Sequence, residues 1–332
     1  MSTTISDFLD AASRSTVLVV GDVMVDAYLW GRVERISPEA PVPVVQINQR
    51  SARLGGAANV ALNVQALGGK AVVLSMVGED EAAATLHKLF AAHSLSTAGI
   101  LTSAERITTV KTRVISSHQH IVRVDEEQED DLAKDDAGRL LDRFKQLIEQ
   151  ERPHVVVIED YDKGVLTEEV IAGILEASTA ARIPVAVDPK RKNFFSYQGV
   201  DLFKPNLKEL REGLKTDVDP SDPKSVRHGV ESLEQRLGNK ASLITLSEHG
   251  MFMHSGVEEH RIPAHRRTIA DVSGAGDTVI AVAAMALAQG LAPKAIAQLA
   301  NLAGGLVCEE VGVVPLDKER FRAECERLQL PE

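Results

Sequence analysis

The chain has 332 residues, 37 of them basic and 48 acidic, for a formal charge of −11. That length encloses a substantial core, in one large α/β domain with an appendage or in two smaller domains. The acidic balance argues against a broad surface for nucleic acid or an anionic membrane, so any anionic ligand must meet a local basic pocket.

The opening stretch MSTTISDFLDAASRS carries acids and no long apolar segment, and no later run reaches the roughly 20 apolar residues that span a bilayer. Cys308 and Cys325 form no CxxC pair, which argues against a disulfide scaffold or a cysteine zinc site. The chain reads as cytoplasmic, with no membrane and no nucleic-acid partner.

In chain order, STVLVVGD (15–22) predicts a buried strand running into a loop, followed by a helix from about Gly56 and a second strand, AVVLSMVG, at 71–78. Further strands are predicted at 155–160, 185–188 and 242–247, with helices near 135–150, 167–179 and 225–237. This alternation is the rhythm of a mostly parallel sheet covered by helices. PVPVVQIN (41–48) and TTVKTRVISSHQHIVRVDEE (108–127) have the shorter period of half-exposed strands. They predict a small projecting sheet, unless they extend the main one.

Near the carboxyl end, DVSGAGDT (271–278) precedes an apolar helical pattern from about Asp277 to Gln289, closed by Gly290. Gly274 and Gly276 allow a sharp turn and close approach of an anion, while N–H groups at the helix start offer positive partial charge. Asp277 would repel a resting phosphate. It makes sense if the turn stabilises a transferring phosphoryl group while the carboxylate takes a proton from the attacking hydroxyl. The plainer reading is an acid in the first turn of a helix. No GxxxxGK[ST] loop, complete GxGxxG fingerprint or protein-kinase motif set is present. His118 and His120 alternate on a predicted strand, and nothing near them completes a recognised zinc site.

DVSGAGDT, together with RLGGAANVALNVQALG (53–68), GDVMVDAY (21–28) and KPNLKEL (204–210), resembles the signatures of the ribokinase-like (PfkB) carbohydrate kinases, in their order across nearly the whole chain. The resemblance implies a three-layer α/β/α domain over 1–332, with a mostly parallel central sheet and a small β-sheet lid from about 31–50 and 107–127. RISPEAPVPVV (35–45) and EDYDKGVL (159–166) narrow it to the kinases that phosphorylate D-glycero-β-D-manno-heptose 7-phosphate at C1. Such a kinase uses ATP and Mg²⁺ and makes the 1,7-bisphosphate for ADP-heptose and lipopolysaccharide core synthesis. The chain resembles the stand-alone form, which implies a separate nucleotidyltransferase and a homodimer joined partly through the small sheet. Another ribokinase-like phosphosugar kinase, or a non-catalytic sugar-phosphate binding protein, is the alternative.

By that resemblance Gly274, Ala275 and Gly276 form an anion hole and Asp277 is the base. Asp22, Asp26, Gly55, Gly56 and Asn59 are implied as sugar contacts, in keeping with carboxylate and amide recognition of hydroxyls. The 7-phosphate needs basic partners, for which the candidates are Lys111, Arg113, Arg123, Lys163, Lys190 and Arg191. Asn206 and Glu209 have the NxxE spacing that organises magnesium and nucleotide phosphates through water, although the same spacing imitates a helix capping box. Ser247, Gly250 and Asn301 are the candidates for the nucleotide end.

Overall fold

The computed structural model describes residues 4–116, 119–265 and 267–331. Its strands are β1 Thr16–Gly21, β2 Val23–Ile36, β3 Pro43–Gly56, β4 Lys70–Gly78, β5 Ile100–Ser103, β6 Thr109–Ser116, β7 Gln119–Glu126, β8 Val155–Glu159, β9 Val185–Asp188, β10 Leu202–Phe203, β11 Ser242–Thr245, β12 Met251–Ser255 and β13 Glu258–Ile262. The helices are α1 Ile5–Ala12, α2 Ala57–Ala66, α3 Glu81–Ala92, α4 Lys134–Glu151, α5 Glu168–Ala181, α6 Leu207–Leu214, α7 Pro223–Leu237, α8 Ala275–Ala288, α9 Pro293–Val307 and α10 Lys318–Leu328.

Nine strands form the main sheet in the order β13-β12-β11-β10-β9-β8-β1-β4-β5. From β11 to β5 every neighbouring pair is parallel, and β12 alone runs the other way, pairing antiparallel with β11 and with β13. β1 shows why helices cover both faces. Val17 and Val19 point into one core layer, with α2, α8 and α9, whereas Leu18 and Val20 point into the other, with α4, α5 and α7. A strand buried on both faces reads as an unbroken apolar run, and each such side chain contributes about 1.5–3 kcal/mol by leaving water.

α8 lies in the first of these layers, and its residues from Asp277 to Met285 and Ala286 are buried all round. Its many alanines keep the helix thin enough to sit between α2 and α9 while facing β8 and β9. The apolar sequence after GAGD therefore anchors the turn that carries Asp277.

The remaining strands form a separate four-stranded sheet, β3-β2-β6-β7, and do not extend the main one. It is larger than the predicted segments, because β2 and β3 each run for 14 residues and begin or end inside the core. The half of β2 next to Asp22 is buried almost continuously, so no alternating pattern marked it as a strand. Among the described residues, no helix is long and apolar enough to cross a membrane.

Candidate active site

The carboxyl ends of β1, β8 and β9 meet the start of α8, and the side chains gathered there come from distant parts of the chain. Asp277 is only 3% exposed. Asn59 Nδ2 donates to its Oδ2 at 2.7 Å, and the Tyr161 hydroxyl donates to its Oδ1 at 2.7 Å. Burial pushes its carboxyl up to about 6, against the opposing pull of those two donors, with Asp188 and Asp26 adding to the rise. A carboxylate tuned to that range is ionised at neutral pH and still accepts a proton readily, which suits a general base.

Gly274 precedes α8 with φ of 78°, a left-handed conformation that costs glycine nothing. A side chain there would meet Asn59 Nδ2 at 2.8 Å, so glycine also gives Asn59 its path to Asp277. No side chain caps α8. Ala275 N–H bonds to Val272 and Thr278 N–H to Gly274, while the Gly276 and Asp277 N–H groups stand at the helix start, where partial positive charge collects. A Cβ on Gly276 would lie 3.5 Å from Asp188 Oδ2 and 3.7 Å from Lys204 Nζ. Lys204 and Asp188 form a buried pair at 2.8 Å, which sets an ammonium beside the turn. Asp271 orders the approach to it, accepting from Ser273 N–H and hydroxyl and from Gly312 N–H.

The sugar-contact candidates converge on the same place but divide in role. Asp22, 2% exposed, accepts backbone N–H bonds from Tyr161 at 2.8 Å and from Lys163 and Val165 at 3.2 Å. Its carboxylate thus holds the 161–165 loop. Those three bonds leave one lone pair, on Oδ1, for a sugar hydroxyl. Asp26 pairs with Arg113 and packs on Gly55, where a Cβ would sit 2.1 Å from Asp26 Oδ2. Gly56 begins α2 and passes against the Asp22 carbonyl.

Of the basic candidates, five already have acidic partners. Lys111 Nζ meets Glu127 at 2.7 Å, Lys163 Nζ meets Glu127 at 2.9 Å and Glu129 at 2.8 Å, and Arg123 meets Asp125 at 2.9 Å. Arg113 is held by Asp26, and Lys190 Nζ lies 2.8 Å from Glu209. Arg191 is exposed. Lys111, Arg113 and Arg123 lie on β6 and β7 of the small sheet.

Asn206 and Glu209 do form a capping box on α6: Asn206 Oδ1 accepts from Glu209 N–H, and Glu209 Oε2 accepts from Asn206 N–H, both at 2.8 Å. Glu209 Oε1 is the atom that holds Lys190. Since both Glu209 oxygens have partners, a hydrated magnesium met through water fits these residues better than direct ligation. His120 Nε2 lies 3.8 Å from Asp271, and His118 lies outside the described residues.

At the far end, Gly250 and Asn301 both press on the segment after β13. Asn301 Nδ2 donates to the Pro263 carbonyl at 2.9 Å, and a Cβ on Gly250 would meet the Ile262 carbonyl at 2.0 Å. Ser247 stands exposed at the start of the short 3₁₀ turn 247–249. Tyr161, Lys204, Asp188 and Glu159 were missed as site residues, though Tyr161 and Glu159 lie in the EDYDKGVL stretch and Lys204 in KPNLKEL. Glu159 is fully buried, neither of its side-chain oxygens has a hydrogen-bond partner, and burial beside Asp188 and Asp277 holds its carboxyl well above the usual range.

Residues 14–319 match the model of the pfkB family carbohydrate kinases. The chain belongs to that family. It is 44% identical over 303 residues to the bifunctional protein HldE of Caulobacter vibrioides, covering 91% of this chain and 62% of that protein. To the bifunctional protein HldE of Methylococcus capsulatus it is 44% identical over 316 residues, covering 93% of this chain and 63% of that protein. The chain thus spans about three fifths of the length of these relatives. The fold is shared with solved structures at low identity. Escherichia coli phosphofructokinase-2 in complex with fructose-6-phosphate superposes with a TM-score of 0.75 at 18% identity, over 95% of this chain and 99% of that one. Arabidopsis thaliana ribokinase complexed with ribose and ATP gives 0.69 at 17% identity, over 93% and 99%. The ribokinase-like three-layer architecture with a smaller accessory sheet is therefore shown on this chain.

Proposed function

We propose that the chain transfers the γ-phosphoryl group of ATP to the C1 hydroxyl of D-glycero-β-D-manno-heptose 7-phosphate. The observation that carries the phosphotransfer is Asp277, buried at the mouth of an uncapped helix and pushed up to about 6. Its ionised carboxylate takes the hydroxyl proton as the bond from the sugar oxygen to phosphorus forms and the bond from phosphorus to the ADP oxygen breaks. The Gly276 and Asp277 N–H groups face the charge that gathers on the transferring oxygens, and Lys204 stands beside them. Magnesium bound with the nucleotide would supply neutralising charge, and Asn206 and Glu209 are the residues that would hold it through water. The heptose assignment is supported by the RISPEAPVPVV and EDYDKGVL resemblance and by the HldE relatives.

The chain's acceptor already carries a phosphate in this reading, so a neutral heptose leaves the basic groups of the site without a partner. Product mapping together with kcat/KM for heptose 7-phosphate, unphosphorylated heptose and fructose 6-phosphate, at one Mg-ATP concentration, tests it. Transfer to C1 and a strong preference for heptose 7-phosphate are expected. Equal use of the neutral heptose, or preference for the fructose phosphate, overturns the acceptor while sparing the Asp277 chemistry.

The small sheet exposes Ile36, Val122 and Val124, and the connection from β2 to β3 exposes Val42, each with about half or more of its surface accessible. A β layer with apolar residues left on its surface needs a second surface to bury them, which supports a homodimer formed partly through this sheet. Sedimentation of the purified chain decides it: a monomer at micromolar concentration removes that assignment.

A further inference from the structure

We infer that Tyr161 is a positioning residue for phosphoryl transfer, fixing the orientation of the Asp277 carboxylate and stabilising its charged form through the hydrogen bond from its hydroxyl. The inference rests on Asp277 being the base.

The loop bearing Tyr161 is fixed on both sides by buried aspartates. Asp22 accepts the N–H groups of Tyr161, Lys163 and Val165. Asp160 accepts the Asp162 N–H at 2.8 Å and the Tyr197 hydroxyl at 2.6 Å. Held this way, Tyr161 places its hydroxyl 2.7 Å from Asp277 Oδ1 while Asn59 occupies Oδ2 at the same distance. One donor on each oxygen fixes the carboxylate plane and leaves one lone pair on each for an incoming hydroxyl.

The surroundings make the bond necessary. Asp26 from β2, Glu159 from β8 and Asp188 from the end of β9 all act against negative charge at Asp277. Lys204 stands on the Gly276 side, paired to Asp188. Asn59 and Tyr161 are the side-chain donors that favour the ionised form. Tyr161 can serve throughout the working pH range, because burial and the nearby Asp277 hold its phenol well above 10. Lys190 Nζ, held by Glu209 at 2.8 Å, stands 5.1 Å over the Tyr161 ring. A cation on the ring face draws electron density from the phenol and strengthens it as a donor. The same residue therefore joins the base to the Lys190–Glu209 pair beside the NxxE element.

The test is the pH profile of kcat for Tyr161→Phe, measured with heptose 7-phosphate, or with whichever acceptor the purified enzyme uses best, and saturating Mg-ATP. Losing a donor to the carboxylate should move the acid limb upward by about one pH unit, cutting turnover roughly fivefold near pH 6 and about tenfold well below it, with KM for ATP unchanged. Incorporating 3-fluorotyrosine at position 161 keeps the shape and sharpens the donor, so it should move the limb the other way; it also provides the answer if the phenylalanine variant does not fold. A limb that stays in place in both proteins makes Tyr161 merely structural and overturns the inference. Asp277→Asn run alongside separates the two levels. If it retains full turnover, the base assignment fails and the inference with it. If it is inactive while both Tyr161 variants match the native profile, only the inference fails.

Discussion

Asp26 on β2 and Arg113 on β6 form an ion pair across two neighbouring parallel strands, with both side chains almost completely withdrawn from water. The guanidinium also lies 5.5 Å from the centre of the Tyr28 ring. Burial raises the Asp26 carboxyl in spite of Arg113, so the pair holds a charge that would otherwise be costly there. Arg113→Met should destabilise the fold by about 3–5 kcal/mol, because it strands the carboxylate. Adding Asp26→Asn should recover a large part of that loss. Chemical denaturation of the two single variants and the double variant measures the coupling; strictly additive effects would mean that the pair does not act as a unit.

Asp277 links activity and stability in opposite directions. Asp277→Asn removes the proton acceptor and should lower turnover by roughly 10²- to 10⁴-fold, about 3–5 kcal/mol of barrier. The native carboxyl rises from 3.8 to about 6 on folding, so the folded state holds its proton more tightly than the unfolded chain does. Native stability from this group is therefore present below pH 4 and is lost as pH climbs to about 6, by about 3 kcal/mol at 1.36 kcal/mol per unit. The asparagine variant does not titrate. Its thermal midpoint should gain on the native one between pH 4 and pH 6 and keep a constant lead above, and a difference independent of pH would contradict the buried-carboxylate account.

Asp22 should behave as a structural clamp with a catalytic consequence. Asp22→Ala leaves three backbone N–H groups of the 161–165 loop without their acceptor, at about 1–3 kcal/mol for each donor that water cannot reach. Hydrogen exchange at Tyr161, Lys163 and Val165 should accelerate, and turnover should fall as Tyr161 drifts from Asp277. Unchanged exchange at these three amides, with activity lost, would return Asp22 to the sugar-contact role.

For Glu209, the expected defect concerns magnesium. Glu209→Gln keeps an oxygen for the Asn206 N–H but removes the charge that holds Lys190. The magnesium needed for half-maximal turnover should rise several-fold, with sugar binding in the absence of nucleotide retained. An unaltered magnesium titration would place Glu209 outside the phosphate network and leave it as a helix cap.

The site was legible in the sequence where a local pattern had one physical meaning. GAGD followed by an alanine-rich apolar run could only start a buried helix, and α8 carries Asp277 in its first turn as read. The helices at 134–151, 168–181 and 223–237 followed from their 3.6-residue period in the same way. β2 was harder to see because its first half is buried without alternation. The basic residues were unreadable for another reason. Whether Lys163 is a ligand or a partner depends on Glu127 and Glu129, more than 30 positions away, and no local pattern encodes that meeting. Tyr161 carries no local signal either, because its hydroxyl meets Asp277 across 116 positions of chain.

Arg53, near the core end of β3, donates to the carbonyls of Val311 and Val313, and the Tyr28 hydroxyl accepts the Val313 N–H. The same stretch reaches Asp271 through Gly312. The Arg53 and Tyr28 contacts span 258 to 285 residues, and contacts so far apart form slowly because the intervening chain must first be ordered. During synthesis the residues around Asp277 therefore acquire these surroundings only after residues 311–313 have left the ribosome. A nascent chain holding its first 270 residues still lacks these partners for Arg53 and Tyr28, whatever part of its sheet has already formed.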